Sequence, residues 1–335
     1  MSYHILTLQT PGSKLNVDRG FIVCNTPHQP DRRVALADVR MVVVAVPSVS
    51  FSNECIARLM AQDSAILHCD RHFKPIGWSM PLQRVIRQEV FANEIRQDKT
   101  MNHTLWQALC LQKMKNQAYH LDLLGIDHSL HLLAKRTLPS ESNVARQYWR
   151  HLFGYLRSFN GESTRRERQG AKSFENKALN YGYAVLATLV HRAALMYGLL
   201  PTLGIHHDFR YRSTPLVYDL MEPARPWIDL LLTQWFKDQG DDAILFDEED
   251  RFKSWIQALM QGLVRCRVKH MDMKHSFKLA DAIDRMVATF ATCHEDAYFK
   301  AKDTTPLFLP RLDCQYWHHG DSLNEEAEAD DPEDL

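Results

Sequence analysis

Two periodicities divide the chain. From Tyr3 to about Trp78, apolar residues come in short runs separated by turn residues; after Leu82 they recur at helical spacing. Ile5–Leu8 and Phe21–Cys24 flank the turn material Pro11-Gly12 and Asp18-Arg19-Gly20, which reads as strands joined by turns. Val39–Val46 is β-branched and apolar, as a buried strand would be. Phe51–Met60 has helical spacing with Ser52 or Asn53 as N-cap, and Ala65–Cys69 returns to a strand. His68, Cys69, Asp70 and His72 have no second ligand pair nearby, so a buried strand end fits them better than a metal site.

The Gly77-Trp78 turn and Pro81 read as a linker. Beyond it, Leu82, Val85, Ile86 and Val90 form one stripe, with Arg84, Arg87 and Arg96 at polar positions. Leu105–Leu124 is a second long helix, closed by Gly125. The span Asn176–Leu199 is apolar nearly all round, as the central helix of a bundle is. Helical spacing continues through Trp235, Phe252–Leu263 and Phe277–Phe290, and Asp247–Asp250 reads as a helix N-terminus. The expected fold is α+β: a small, mostly-β N-terminal domain (1–78), a linker (79–88), a larger all-α domain (89–315) and an acidic tail (316–335).

Composition narrows the class. Hydrophobic content of 45% and charged content of 24% are those of a globular chain with a real core. The net charge of −1 hides an asymmetry: residues 321–335 hold eight acids and no base, which leaves 1–320 with 40 bases against 33 acids, a net of +7. A basic body suits a phosphate-bearing partner. The seven scattered cysteines contain no Cys-x-x-Cys, which argues for reduced thiols in the cytoplasm and against a zinc ribbon. Ala184–Leu200, broken by His191 and Arg192, is too short for a membrane helix, and residues 1–14 lack a secretory pattern.

The candidate chemistry gathers in Leu203–Pro226, LGIHHDFRYRSTPLVYDLMEPARP. Asp219 and Glu222 are three apart and would share one helical face, with Pro223 and Pro226 turning the chain beyond them. A histidine with two acids is a ligand set for magnesium or manganese. Taken locally, the same residues could instead pair with Arg210, Arg212 or Arg225. Ser140, an N-cap position after Pro139, puts Glu141 in the first turn of a helix, where the macrodipole favours its ionised form. Asn160–Ser173 loses periodicity and is basic, either a phosphate-binding loop or a solubilising connection.

Several blocks in order resemble one family: Asn180-Tyr181-Gly182-Tyr183, Gly198-Leu199-Leu200-Pro201, Leu203-Gly204-Ile205-His206-His207, Tyr218-Asp219-Leu220-Met221-Glu222-Pro223 and Arg225-Pro226. Together they resemble the CRISPR-associated adaptation integrase, the larger of the two proteins that insert spacers into a CRISPR array. The final acid is Glu rather than Asp, which resembles the variant of type II systems. Glu141, opening a Glu-x-x-x-Ala-Arg-x-Tyr pattern, is similar to the family's first catalytic acid, although Ser142 stands where Gly is usual.

The resemblance implies polynucleotidyl transfer: a prespacer 3′-hydroxyl attacks a phosphodiester at the leader–repeat junction. Mg2+ or Mn2+ would be held by Glu141, His207 and Glu222, with Asp219 binding a second ion or orienting the site. Of the two histidines, the Leu-Gly-Ile-x-His pattern selects His207, leaving His206 as a supporting or merely exposed side chain. Candidate DNA contacts are Lys113, Lys115, Arg146, Arg165, Arg166, Arg168, Lys274 and Lys278. Implied partners are double-stranded DNA, a second copy of the chain and the small second adaptation protein. Two alternatives stand beside this reading, a structure-selective nuclease without integration and a DNA-binding assembly protein with a silent site.

Overall fold

The computed structural model describes residues 4–82, 87–96, 98–131, 141–160, 165–208, 213–240, 247–269, 276–294 and 307–312. The fold is α+β, with strand-rich sheets first and helices after. One sheet has the order β1 (His4–Leu8), β5 (Val39–Val44), β7 (Ala65–Cys69), β8 (Pro75–Ser79). The other runs β4 (Arg32–Ala35), β3 (Phe21–Asn25), β2 (Lys14–Asp18), β6 (Ser50–Phe51). The apolar run of β5 is explained by its place: it lies parallel between β1 and β7 and is covered on both faces. Met41 and Val43 enter the helical core, while Val42 and Val44 enter a smaller core with Leu15 and Ile22 from the second sheet. Helix α1 (Asn53–Ala61) starts at Ser52, whose hydroxyl accepts from the Cys55 amide at 3.2 Å.

Three local expectations are corrected. Gly77 and Trp78 lie within β8, antiparallel to β7, and not in a linker; strand pairing with Leu67 and His68 overrides the glycine signal. Leu82 is 86% exposed and contributes nothing to a buried stripe, whereas Val90 is buried on α2 (Gln88–Arg96); Val85 and Ile86 lie outside the described residues. Phe277 and Lys278 are not helical. They form strand β10 (Ser276–Lys278), antiparallel to β9 (Arg267–Lys269), in the region expected to be all helix.

The helices are α3 (Lys99–Leu123), α4 (Glu141–Asn160), α5 (Phe174–Met196), α6 (Pro215–Leu220), α7 (Arg225–Gln239), α8 (Glu248–Arg265) and α9 (Leu279–Cys293). Asp98 caps α3, and Gly125 at φ +68° follows its last turn. Asp247 caps α8 as the acidic run suggested. Helix α5 is buried on most sides, and a Cβ on Gly182 would lie 2.4 Å from Ile228 Cγ2, so glycine sets how closely α5 and α7 approach. No described helix is long and apolar enough to cross a membrane. The six described cysteines are free thiols.

Candidate active site

The chain leaves α5 through a tight turn that only glycine fits. A Cβ on Gly204 would stand 2.3 Å from the His207 carbonyl oxygen and 2.9 Å from Asp219 Oδ2. The compact loop aims its amides at the Asp219 carboxylate. Ile205 N donates to Oδ2 at 2.8 Å, His206 N to Oδ2 at 3.0 Å and His207 N to Oδ1 at 3.1 Å. Oδ1 also takes the His207 Nδ1 proton at 2.5 Å. The Asp219 side chain is fully buried and its oxygens are saturated. A carboxylate on Nδ1 leaves the Nε2 lone pair of His207 available to a cation.

Glu222 does something different, although the sequence put it on the same face. Helix α6 ends at Leu220, and the chain tightens into a 3-10 turn over Glu222–Ala224, which swings the second acid toward α3. Lys113 Nζ stands 2.6 Å from Glu222 Oε2, and Arg225 Nε stands 3.0 Å from Oε1. Neither contact has hydrogen-bond geometry, so Oε2 is buried without a hydrogen bond. Burial pushes the Glu222 carboxyl up, but Arg225 and Lys113 outweigh it and hold it below the ordinary range. Burial likewise pulls the Lys113 ammonium down, and Glu222 and Glu141 more than restore it.

Glu141 joins Glu222 at Lys113 from the first residue of α4, and His207 lines the same cavity, although the ligand atoms of the three do not all lie within 4.8 Å of one another. Its Oε1 accepts from Lys113 Nζ at 2.6 Å, and Cys110 Sγ lies 3.8 Å from Oε2. One ammonium therefore touches two carboxylates that arrive from separate elements. Glu141, Glu222 and His207 all line a cavity of about 230 Å3, together with Trp106, Trp149, Arg166, Arg168, Arg225 and Asp229. Two carboxylates, one with an oxygen (Glu222 Oε2) that lacks a hydrogen bond, and an imidazole are donor types that Mg2+ or Mn2+ accepts. Asp219 faces away, so of the two roles expected for it the orienting one matches this geometry.

The α3 face opposite is polar for a stated reason. The Asn116 carboxamide uses all four of its bonding positions: Nδ2 donates to the carbonyls of Pro223 and Pro310, and Oδ1 accepts from Gln112 Nε2 and Leu312 N. It ties the peptide beside Glu222 to the 307–312 segment. Deeper still, Asp229 on α7 accepts from Tyr148 at 2.8 Å and from Tyr183, and Tyr148 contacts His120 Nδ1 at 2.8 Å. Burial raises the Asp229 carboxyl to about 6 and lowers the His120 imidazole to about 3. Tyr148 is thus a packing and hydrogen-bonding residue, not a phosphate contact.

The expected DNA contacts scatter. Lys113 is buried between two acids and is no solvated face, Arg166 is held by Asn176 and Asn180, and Arg168 lines the cavity. Lys115 and Arg146 are exposed on α3 and α4, and neither lines the cavity. Arg165 pairs with Glu167 at 3.9 Å, Lys278 ends β10 away from the cavity, and Lys274 lies outside the described residues, as does Ser140. Asp122, His128 and His131 gather at the end of α3 within 4.8 Å of one another. There both imidazole Nε2 atoms already meet the Asp122 carboxylate, and Leu130 N donates to His128 Nδ1, so the donors satisfy each other.

Residues 6–260 match the family described as CRISPR associated protein Cas1. The chain belongs to that family. The CRISPR-associated endonuclease Cas1 of Neisseria meningitidis serogroup C (strain 8013) is 28% identical over 331 residues, covering 94% of this chain and 100% of the relative. A Saccharolobus solfataricus protein of the same name is 26% identical, covering 72% and 73%. Among solved structures, a casposase bound to integration product superposes with TM-score 0.75 at 16% identity, over 93% of this chain and 95% of that one. A Cas1 protein from Thermotoga maritima gives 0.66 at 16%, over 87% and 97%. These likenesses extend the Cas1 fold over nearly the whole chain.

Sequence reasoning passed over Trp106, Trp149 and Asp229, which also line the Cas1-family cavity. Helical spacing made each look like core; only the position of Trp106 seven residues before Lys113, on the same face of α3, pointed inward.

Proposed function

We propose that this chain is a divalent-metal-dependent DNA endonuclease and integrase that joins prespacer DNA into a CRISPR array. The observation that carries the reading is the Lys113 ammonium lying 2.6 Å from both Glu141 and Glu222, beside an imidazole whose Nδ1 is tied to Asp219. Acids already arranged about one positive charge are suited to Mg2+ or Mn2+, held by Glu141, Glu222 and His207. When bound, the ion supplies charge stabilisation at the reacting phosphate oxygens.

The chain's own residues supply the rest. Asp219 keeps His207 in one tautomer and one orientation. Arg225 and Arg166, both over the Tyr183 ring at 4.9 and 5.5 Å, present positive charge to a phosphate in the cavity. The entering 3′-hydroxyl oxygen bonds to phosphorus as the existing P–O3′ bond breaks. The attacking hydroxyl gives up its proton and the departing 3′-oxygen takes one up. With water as the nucleophile, the same site nicks DNA.

Partners follow from the same reading. Relatives of this fold are known from a Cas6-RT-Cas1–Cas2 complex and from a TtCas1–DNA complex, which supports DNA and a small second adaptation protein as partners here, with a dimer of this chain between them. The type II-like assignment rests on Glu222 alone.

The test incubates a labelled 3′-OH duplex with supercoiled plasmid, the purified chain and Mn2+. Labelled joined product is expected, and EDTA should abolish it. Nicking without joining would reduce the reading to a nuclease. A mobility shift with neither product would leave an assembly protein.

A further inference from the structure

His206 takes no part in the chemistry above, yet it is not idle. Its imidazole lies on the Trp106 indole with centroids 4.0 Å apart and planes 5° from parallel. The edge of His207 meets the same indole at 5.8 Å and 88°. The stack therefore stands directly against the imidazole of the acid cluster, and both of its rings line the cavity. His206 is exposed and Trp106 partly so. A pair that served only to fill the core would be buried, and a polar ring left at the surface removes little apolar area from water.

The rest of the wall has matching chemistry. The Arg166 guanidinium lies over the Trp149 ring at 5.6 Å, and Arg168 reaches the same cavity. Flat aromatic faces interleaved with guanidinium groups are how proteins hold single-stranded nucleic acid, because every base has a π-face and every step a phosphate. The cavity they share has a volume of about 230 Å3.

We propose that the Trp106–His206 stack is a base platform, which takes the nucleobase of an unpaired nucleotide adjoining the phosphate presented to Glu141, Glu222 and His207. The inference rests on the DNA reading above. Such a contact is tolerant of base identity.

The test uses duplexes with short unpaired 3′ ends carrying 2-aminopurine at the first to fifth nucleotide from the end, titrated with protein in EDTA so that no chemistry occurs. Stacking on the platform should quench the fluorophore at one or two adjacent positions. Trp106→Ala should remove that quench and weaken binding of the tailed duplex about 10-fold, while binding of a blunt duplex changes little. Trp106→Phe should retain the quench, which separates ring stacking from misfolding. Glu222→Gln should keep the quench while losing joining, so an inactive enzyme and an absent platform give different results. Quenching in Trp106→Ala equal to wild type, or no position that depends on Trp106, would overturn the platform.

Discussion

The interior of this molecule is dry at one end and wet at the other. Among the described residues of 4–82, the buried polar side chains are Ser13 and Ser64, and Ser64 simply donates to the Val39 carbonyl at 2.7 Å. Beyond residue 90 the core includes Lys113, Asn116, His120, Arg192, Asp219, Glu222 and Asp229. Burying such groups is costly unless every one is matched, and replacing matched charges by apolar residues is often neutral or better for stability. The strand-rich end is thus built for packing. The helical end carries a burden that stability does not explain, and two of its buried charges, Lys113 and Glu222, meet at the cavity.

Substitutions can break that contrast from either side. The largest effect is expected from Glu141→Gln or Glu222→Gln, which on the proposed function remove a cation ligand and should lower joining and nicking by at least about 1000-fold in the plasmid assay. Near wild-type turnover in either variant would mean the acids serve packing alone. On the dry side, Leu15→Ala opens a cavity in the smaller core and should cost about 2–5 kcal/mol in urea unfolding, while activity per folded molecule stays constant. A change in that specific activity would show that the two ends are not separable.

Asp219→Asn should be milder than loss of a ligand. The amide oxygen can still accept from Ile205 N and His206 N, but its NH2 then faces His207 and no longer favours a proton on Nδ1, so Mn2+ affinity should fall about 10–100-fold by titration calorimetry. An unchanged affinity would remove the orienting role.

The smallest effect concerns pH. Glu94 is buried on α2, accepts from Leu200 N at 3.0 Å, and has its carboxyl raised by burial to about 8. A raised carboxyl binds a proton on folding, so its contribution is complete below the ordinary value of 4.5 and fades as pH climbs through 8. Glu94→Gln keeps an acceptor for Leu200 and has no proton to lose. Its melting temperature should match wild type near pH 5 and exceed it by about 2–4 °C near pH 8. The same margin at both pH values would assign the effect to packing.

What the sequence revealed follows the same division. Val39–Val44 announced itself as a buried strand because both of its faces are covered, and α5 as a central helix because apolar residues surround it. Strands β2 and β4 escaped notice because their outer residues are charged and exposed. The family's blocks single out Glu141, His207 and Glu222, and all three line the cavity. The separate destinations of Asp219 and Glu222 were not, since spacing assumes an unbroken helix and the 3-10 turn at Glu222–Ala224 rotates the second acid. The burial of Lys113 is invisible in the sequence because its partners are 28 and 109 residues away, beyond the reach of any local pattern.

The four-way grip of Asn116 has a consequence for how the protein is made. Two of its bonds reach Pro310 and Leu312, so Asn116 joins the peptide beside Glu222 to a segment far downstream in the chain. A chain synthesised only as far as residue 306 would carry every acid and histidine of the site, but not this brace.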